Sequence, residues 1–234
     1  MKDKLSALEK YNFWKGNVPE LGYKRLAYTN KIFNYVGNKL IKVLVGQRRA
    51  GKSYILRQIA QRLINEGVDP KNILYINKEF TDFDFIENYK DLDELLKYYK
   101  ETLKSSGKIY LFIDEIQNVE GWEHFVNSHS QDFVDVCEIF ISGSNSKMLS
   151  GELATLLSGR YVNFEILPFS YNEYLGITNK KNSKQSYIDY MESGALPELF
   201  VLPNDETKRN YISAIKDTVL LRDIIQRYNI KDTK

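Results

Sequence analysis

Residues 40–64 read LIKVLVGQRRAGKSYILRQIAQRLI, and the fold is decided where this stretch changes period. Leu40 to Val45 is an apolar run of strand length, broken only by Lys42, as expected of a strand covered on both faces. From Ile55 the apolar residues recur at helical spacing through Leu56, Ile59, Ala60, Leu63 and Ile64, with Arg57, Gln58, Gln61 and Arg62 opposite and Gly67 as a helix stop. Between strand and helix lie Gly46 and Gly51, five apart, followed by Lys52 and Ser53. Glycines at those positions let backbone N–H groups turn toward phosphate oxygens at a helix N-terminus. Lys52 then neutralises β- and γ-phosphates, and Ser53 places a hydroxyl on Mg²⁺. The pattern alone would arise by accident in roughly one chain of this length in a hundred. Accident does not also supply the delivering strand and the receiving helix. The stretch therefore predicts a phosphate-binding loop for ATP and Mg²⁺, with nucleotide contacts from Gly46, Gln47, Arg48, Arg49, Ala50, Gly51, Lys52, Ser53 and Tyr54. Arg48 and Arg49 receive no role beyond the loop backbone.

The same alternation of runs continues downstream. Further strands are expected at Ile73 to Asn77, Ile109 to Ile113, Glu138 to Ser142 and Tyr161 to Ile166, giving a parallel five-stranded sheet sandwiched by helices, an α/β fold of the P-loop type. Asp91 with Glu94 resembles a capping box ahead of a helix carrying Leu92, Leu95, Leu96, Tyr99 and Leu103. After Pro168 the apolar residues fall at helical spacing through Tyr187 to Leu199 and Tyr211 to Tyr228, which predicts a small helical C-terminal appendage. The polar stretch Thr178 to Ser186 reads as a solvated loop. The expected division is a lead-in over 1–38, an ATPase core over 39–168, and a helical lid or connector over 169–234.

In an open parallel sheet, ligands bind beyond the carboxyl ends of the strands, so Asp114 and Glu115, ending the run Ile109 to Ile113, emerge on the edge that carries the phosphate loop. Asp114 is expected to hold Mg²⁺ through its water shell and Glu115 to activate the attacking water. The bland alternative is that the pair caps the helix containing Trp122, Phe125 and Val126. Asn145, after the run Ile139 to Ser142, is expected to touch the γ-phosphate or the water. Arg160 is a candidate for the γ-phosphate from the same or a neighbouring subunit. Arg25 and Tyr28 are candidates for the adenine pocket by location alone.

Composition narrows the class. The 33 basic and 31 acidic residues are spread along the chain, so no basic stripe of a dedicated nucleic-acid binder is present; nucleic acid is left open and not indicated. His124 and His129 are five apart, off one helical face, and make no convincing zinc site. Cys137 lies in an apolar run and reads as a buried structural thiol. No uninterrupted apolar stretch approaches bilayer length, and the charged N-terminus lacks a signal-peptide core, so the cytoplasm is the default compartment and no membrane is expected.

These residues together resemble the AAA-14 type of bacterial and archaeal ATPases, over most of the chain. The resemblance rests on GQRRAGKS, Ile113-Asp114-Glu115-Ile116-Gln117 with Trp122, Ser142-Gly143-Ser144-Asn145, Leu157-Ser158-Gly159-Arg160, Leu167 to Tyr174 and Leu221 to Ile225. It implies a strand inserted between the phosphate-loop and acidic strands, a water-directed glutamate at Glu115 and a sensor at Asn145. The segment Ser193 to Glu198 departs from the Gly-Gly-x-Pro-Glu of that family, and no site is placed there. The resemblance also implies a missing C-terminal domain or a homo-oligomer as partner. The leading functional expectation is Mg²⁺-dependent ATP hydrolysis driving a conformational switch or motor. The alternatives are an ATP-gated interaction module with negligible hydrolysis and, third, a small-molecule kinase, for which no arginine-rich lid is evident.

Overall fold

Runs of Val, Ile, Leu and Phe bounded by turn residues become five strands: β1 (Ile41–Val45), β2 (Ile73–Asn77), β3 (Ile109–Asp114), β4 (Cys137–Gly143) and β5 (Tyr161–Glu165). The computed structural model describes residues 2–105, 107–144 and 152–218. All strand pairs are parallel, in the order β2-β3-β4-β1-β5. β4 thus lies between β1, which delivers the phosphate loop, and β3, which ends in Asp114. Because the strands are parallel, the loops following β1, β3 and β4 leave the same edge.

The helices are α1 (Lys2–Tyr11), α2 (Leu26–Phe33), α3 (Lys52–Asn65), α4 (Tyr89–Leu103), α5 (Trp122–Gln131), α6 (Glu152–Leu156), α7 (Tyr171–Thr178), α8 (Lys184–Ser193) and α9 (Asp205–Thr218). The chain divides into two compact units: Met1–Gln47 with Gly51–Ile166, and Arg48–Ala50 with the described part of Leu167–Lys234. The first holds the sheet and α1 to α6, the second α7 to α9.

Two boundaries differ from the sequence expectation, and in each a capping side chain sets the start of a helix. The capping box of α4 is Asn88 with Asp91, not Asp91 with Glu94: Asp91 Oδ2 accepts from the backbone N–H of Glu87 at 2.9 Å and of Asn88 at 3.0 Å. Within the polar stretch 178–186, Thr178 ends α7 and Ser183 caps α8, so only 179–183 is loop. The Cys137 thiol is buried as expected, and burial pushes its pKa up to about 11.

β2 is an outer strand, yet all five of its residues are buried. The segment after α1 explains this. Asn12, fully buried, accepts from Tyr75 N at 2.6 Å and donates to Tyr75 O at 3.0 Å, while Trp14 Nε1 donates to Ile73 O at 2.9 Å. These side chains satisfy the free edge of β2 in place of a sixth strand, which also blocks edge-to-edge association. Asn12→Ala leaves the buried Tyr75 amide and carbonyl unpaired. It is expected to destabilise the chain by about 1–3 kcal/mol in urea unfolding; an unchanged midpoint would show that the edge is held by other means.

Candidate functional site

Two stretches of chain, leaving the carboxyl ends of β1 and β3, meet beside the end of β4. The first is the phosphate loop. Gly46 has φ 152°, and a Cβ there would run into the backbone carbonyl of Ile166; Gly51, at φ 95°, is the residue from which α3 starts. Both positions therefore demand glycine on steric grounds. Lys52, 4% exposed, folds back over the loop, its Nζ donating to Gly46 O at 3.1 Å and Gln47 O at 3.2 Å. Ala50 is fully buried and Gln47 is exposed. Arg49 adopts φ 63°, and within the second unit its guanidinium lies 5.2 Å from the Tyr211 ring. Tyr54 packs against Gly22, where an added Cβ would come within 2.6 Å of the ring. Gln58, one turn further along α3, fixes the segment before α2 by donating to Leu21 O at 2.7 Å and Tyr23 O at 2.8 Å and accepting from Arg25 N at 3.1 Å. Arg25 is buried, with its guanidinium 4.5 Å from the Tyr28 ring.

The second stretch is the acidic end of β3. Asp114 is fully buried and accepts from Ser142 Oγ, from Tyr75 Oη at 2.9 Å and from Asn77 Nδ2 at 3.1 Å, with the Ser53 hydroxyl close enough to act on its charge. Burial holds its pKa above the ordinary carboxylate value; the hydroxyls of Ser142, Ser53 and Tyr75 pull it back, and the neighbouring Glu115 charge adds to the rise. The Tyr75 phenol is in turn pushed well up, by its own burial first and then by the charge of Asp114. Glu115 follows with φ 54° and ψ 48°, the left-handed region that a glutamate seldom occupies. Such a backbone costs about 1–3 kcal/mol and persists where surrounding contacts over-determine it. Those contacts are present: Ser142 Oγ accepts from Glu115 N at 3.2 Å, Ser144 Oγ donates to Glu115 Oε2 at 2.7 Å, and Lys52 Nζ lies 3.6 Å from Glu115 Oε1. A turn over Ile116–Asn118 separates the pair from α5, so the acids do not cap that helix.

The structure thus brings Lys52, Ser53, Asp114 and Glu115 together. Asn145 lies outside the described residues, as do Leu221 to Ile225. Arg160 is not part of this cluster. Its carbonyl accepts from Ile41 N at 2.9 Å, at the opposite ends of β1 and β5, about 20 Å of extended chain from Gly46. The expectation that Arg160 serves the site of its own chain is therefore corrected, because in parallel strands a residue that starts one strand cannot share the edge where its neighbour ends. His124 packs against Tyr89, and His129 Nε2 lies 2.7 Å from Asp93 Oδ1, tying α5 to α4.

Sequence reasoning gave no role to Tyr75, Asn77, Ser142 or Ser144. Tyr75 and Asn77 are two apart on β2 and so share a face, and Ser142 and Ser144 do the same at the end of β4. That period-two spacing of polar residues inside apolar runs was the available signal.

A parallel sheet with β4 between the loop-bearing and acidic strands, and a lysine-serine loop facing two carboxylates, defines a P-loop ATPase fold of the AAA type. The sequence profile of the AAA-domain family AAA_14 matches residues 38–175, and the chain belongs to that family. An uncharacterized protein of Haemophilus influenzae is 38% identical over 210 residues, covering 88% of this chain and 51% of its own length. One from Methanocaldococcus jannaschii is 34% identical over 213 residues, covering 83% of this chain and 44% of its own. The chain thus spans about half the length of the curated relatives it matches. Among solved structures, the Walker-type ATPase of Pyrococcus abyssi shares the fold with a TM-score of 0.51 at 17% identity, over 76% of this chain and 66% of that one. No helix among the described residues is long and apolar enough to cross a membrane.

Proposed function

We propose that the chain binds ATP with Mg²⁺ and hydrolyses it, using the cycle to switch a conformation that acts on a partner. The observation that carries this reading is the 3.6 Å approach of Lys52 Nζ to Glu115 Oε1 beside the buried Asp114 carboxylate. A phosphate-binding lysine and a base for water meet there in one place. The backbone N–H groups of Gly46 to Ser53 and the N-terminus of α3 receive the phosphates, and Lys52 exchanges its carbonyl partners for phosphate oxygens. Glu115 takes a proton from the attacking water.

The residues fit a magnesium ion. Ser53 and Asp114 offer a hydroxyl and a carboxylate side by side, the hard oxygen donors Mg²⁺ prefers. The Asp114 oxygens already accept from three donors, most of the about four acceptor sites of a carboxylate, which suits contact through the ion's water shell. When bound, Mg²⁺ neutralises charge that develops on the β- and γ-phosphates.

Lys52→Ala tests the binding half of this reading. It is expected to weaken ATP affinity at least about tenfold, since a charge-assisted contact to phosphate contributes about 1.5–3 kcal/mol. Titration with a fluorescent ATP analogue measures this, and unchanged affinity would sink the loop assignment. One observation favours the second reading, an ATP-gated module with negligible hydrolysis. Arg160 stands at the far end of the sheet, so this arginine does not reach the phosphate loop of its own chain. Phosphate release measured across protein concentration separates the two: a single-turnover burst supports the module, and a rate that climbs with concentration supports an arginine supplied by a second subunit.

A further inference from the structure

Gln117 lies in the turn that follows the acidic pair. Its Nε2 donates to Glu115 Oε2 at 2.5 Å, the same oxygen that accepts from Ser144 Oγ at 2.7 Å. Both donors therefore fall on one carboxylate oxygen, and the other, Oε1, is the one turned toward Lys52 at 3.6 Å. The amide oxygen of Gln117 is buried and has no hydrogen-bond partner among the described residues. Turning the amide over would set oxygen against carboxylate, acceptor to acceptor, so the bond to Glu115 fixes which atom is left unpaired. A native fold that keeps a buried acceptor unmet calls for a donor at that position. Here the acceptor sits on the same planar amide that touches the candidate base.

Water attacking a phosphorus has two hydrogens, and a general base takes only one. The second needs an acceptor that orients the water without deprotonating it, and a neutral amide oxygen meets that requirement. We propose that Gln117 is a positioning residue for the attacking water: Nε2 holds Glu115, and Oε1 accepts the hydrogen that Glu115 does not take. Ser144 assists by keeping Glu115 Oε2 engaged, which leaves Oε1 to receive the proton. As it does so, the water oxygen bonds to the γ-phosphorus and the bond to the β–γ bridging oxygen breaks. ADP leaves with that electron pair. The inference rests on the hydrolytic reading above and adds to it the group that aims the nucleophile.

The test compares purified Gln117→Leu, Ser144→Ala, Ser144→Thr and Glu115→Gln with the parent chain, measuring ATP affinity and steady-state phosphate release for each. Gln117→Leu removes both polar atoms at similar volume. It is expected to lower kcat about 10- to 100-fold while nucleotide affinity stays within about threefold. Ser144→Ala is expected to lower kcat several-fold, and Ser144→Thr, which keeps the hydroxyl, to restore it. Should Gln117→Leu not fold, Gln117→Met is measured in its place. A Gln117 variant with kcat within about twofold of the parent, while Glu115→Gln is inactive, overturns this inference alone. Loss of kcat matched by an equal loss of nucleotide affinity also overturns it, in favour of a purely structural glutamine. A parent without turnover, or turnover indifferent to Glu115→Gln, overturns the hydrolytic reading and this inference with it.

Discussion

Glu115→Gln is expected to bind ATP at least as tightly as the parent chain and to release phosphate about 10²- to 10⁴-fold more slowly, the range contributed by a positioned general base. The structure gives reasons for both halves. The substitution is isosteric, and a glutamine oxygen can still accept from Gln117 Nε2 and Ser144 Oγ, which now hold Glu115 Oε2. The left-handed backbone at this position, φ 54° and ψ 48°, is therefore retained. Lys52, which lies 3.6 Å from Glu115 Oε1, loses a negative neighbour and is released toward phosphate. Binding does not suffer, because the change removes a competitor for Lys52. Turnover does suffer, because an amide cannot take a proton from water at neutral pH. Isothermal titration with ATP and a coupled phosphate assay measure the two quantities on one preparation. Phosphate release within about twofold of the parent would remove Glu115 from the role of base.

The second large effect lies at the other end of the sheet. Lys42 on β1 and Glu138 on β4 are both buried, and Lys42 Nζ lies 2.6 Å from Glu138 Oε1. Lys108, just ahead of β3, pairs with the second oxygen, and Gly37 N donates to the carboxylate at 2.9 Å. Glu138→Ala leaves Lys42 buried without its counter-charge, and breaking a buried pair in this way costs about 3–5 kcal/mol. Urea unfolding at neutral pH is the measurement.

The pH dependence distinguishes this cause from a simple packing loss. Burial already holds the Lys42 pKa below the ordinary lysine value, opposed by the hydrogen bond to Glu138. Without Glu138 the folded-state pKa falls further while the unfolded value stays near about 10.4. The unfolded chain then binds more protons than the folded one, so stability rises with pH between those two values, more steeply than in the parent. A deficit that is constant across that window would assign the loss to the cavity instead. The double substitution Lys42→Met with Glu138→Leu removes both charges and is expected to recover most of the stability.

Much of the fold was legible because its signals are local. The period change across residues 40–64 placed β1, the loop and α3, and the continuous apolar runs placed the other buried strands to within a residue or two. The acidic pair was legible through one topological fact, that parallel strands present their carboxyl ends on a common edge. The capping box of α4 was misplaced because Asp91 accepts from the chain before it as readily as it begins a pattern of its own.

Long-range pairing was not legible. Lys42 and Glu138 are 96 residues apart, each in an apolar run, and nothing local says that two charges at full burial neutralise one another. Asn12 is 63 residues from Tyr75, and its use as a substitute strand depends on β2 being outermost, which the order β2-β3-β4-β1-β5 alone fixes. Arg160 was drawn to the site by its residue type and expelled by the direction of its strand.

The sequence by itself determined that this chain carries a phosphate loop on a parallel α/β sheet, since the glycines, the lysine and the two hydrophobic periods act within a few residues of one another. Only the tertiary structure decided which polar side chains surround Asp114 and Glu115. Tyr75, Asn77, Ser142, Ser144 and Gln117 come from separate strands and turns, and a hydrogen bond between them exists only once the sheet order has set those strands side by side.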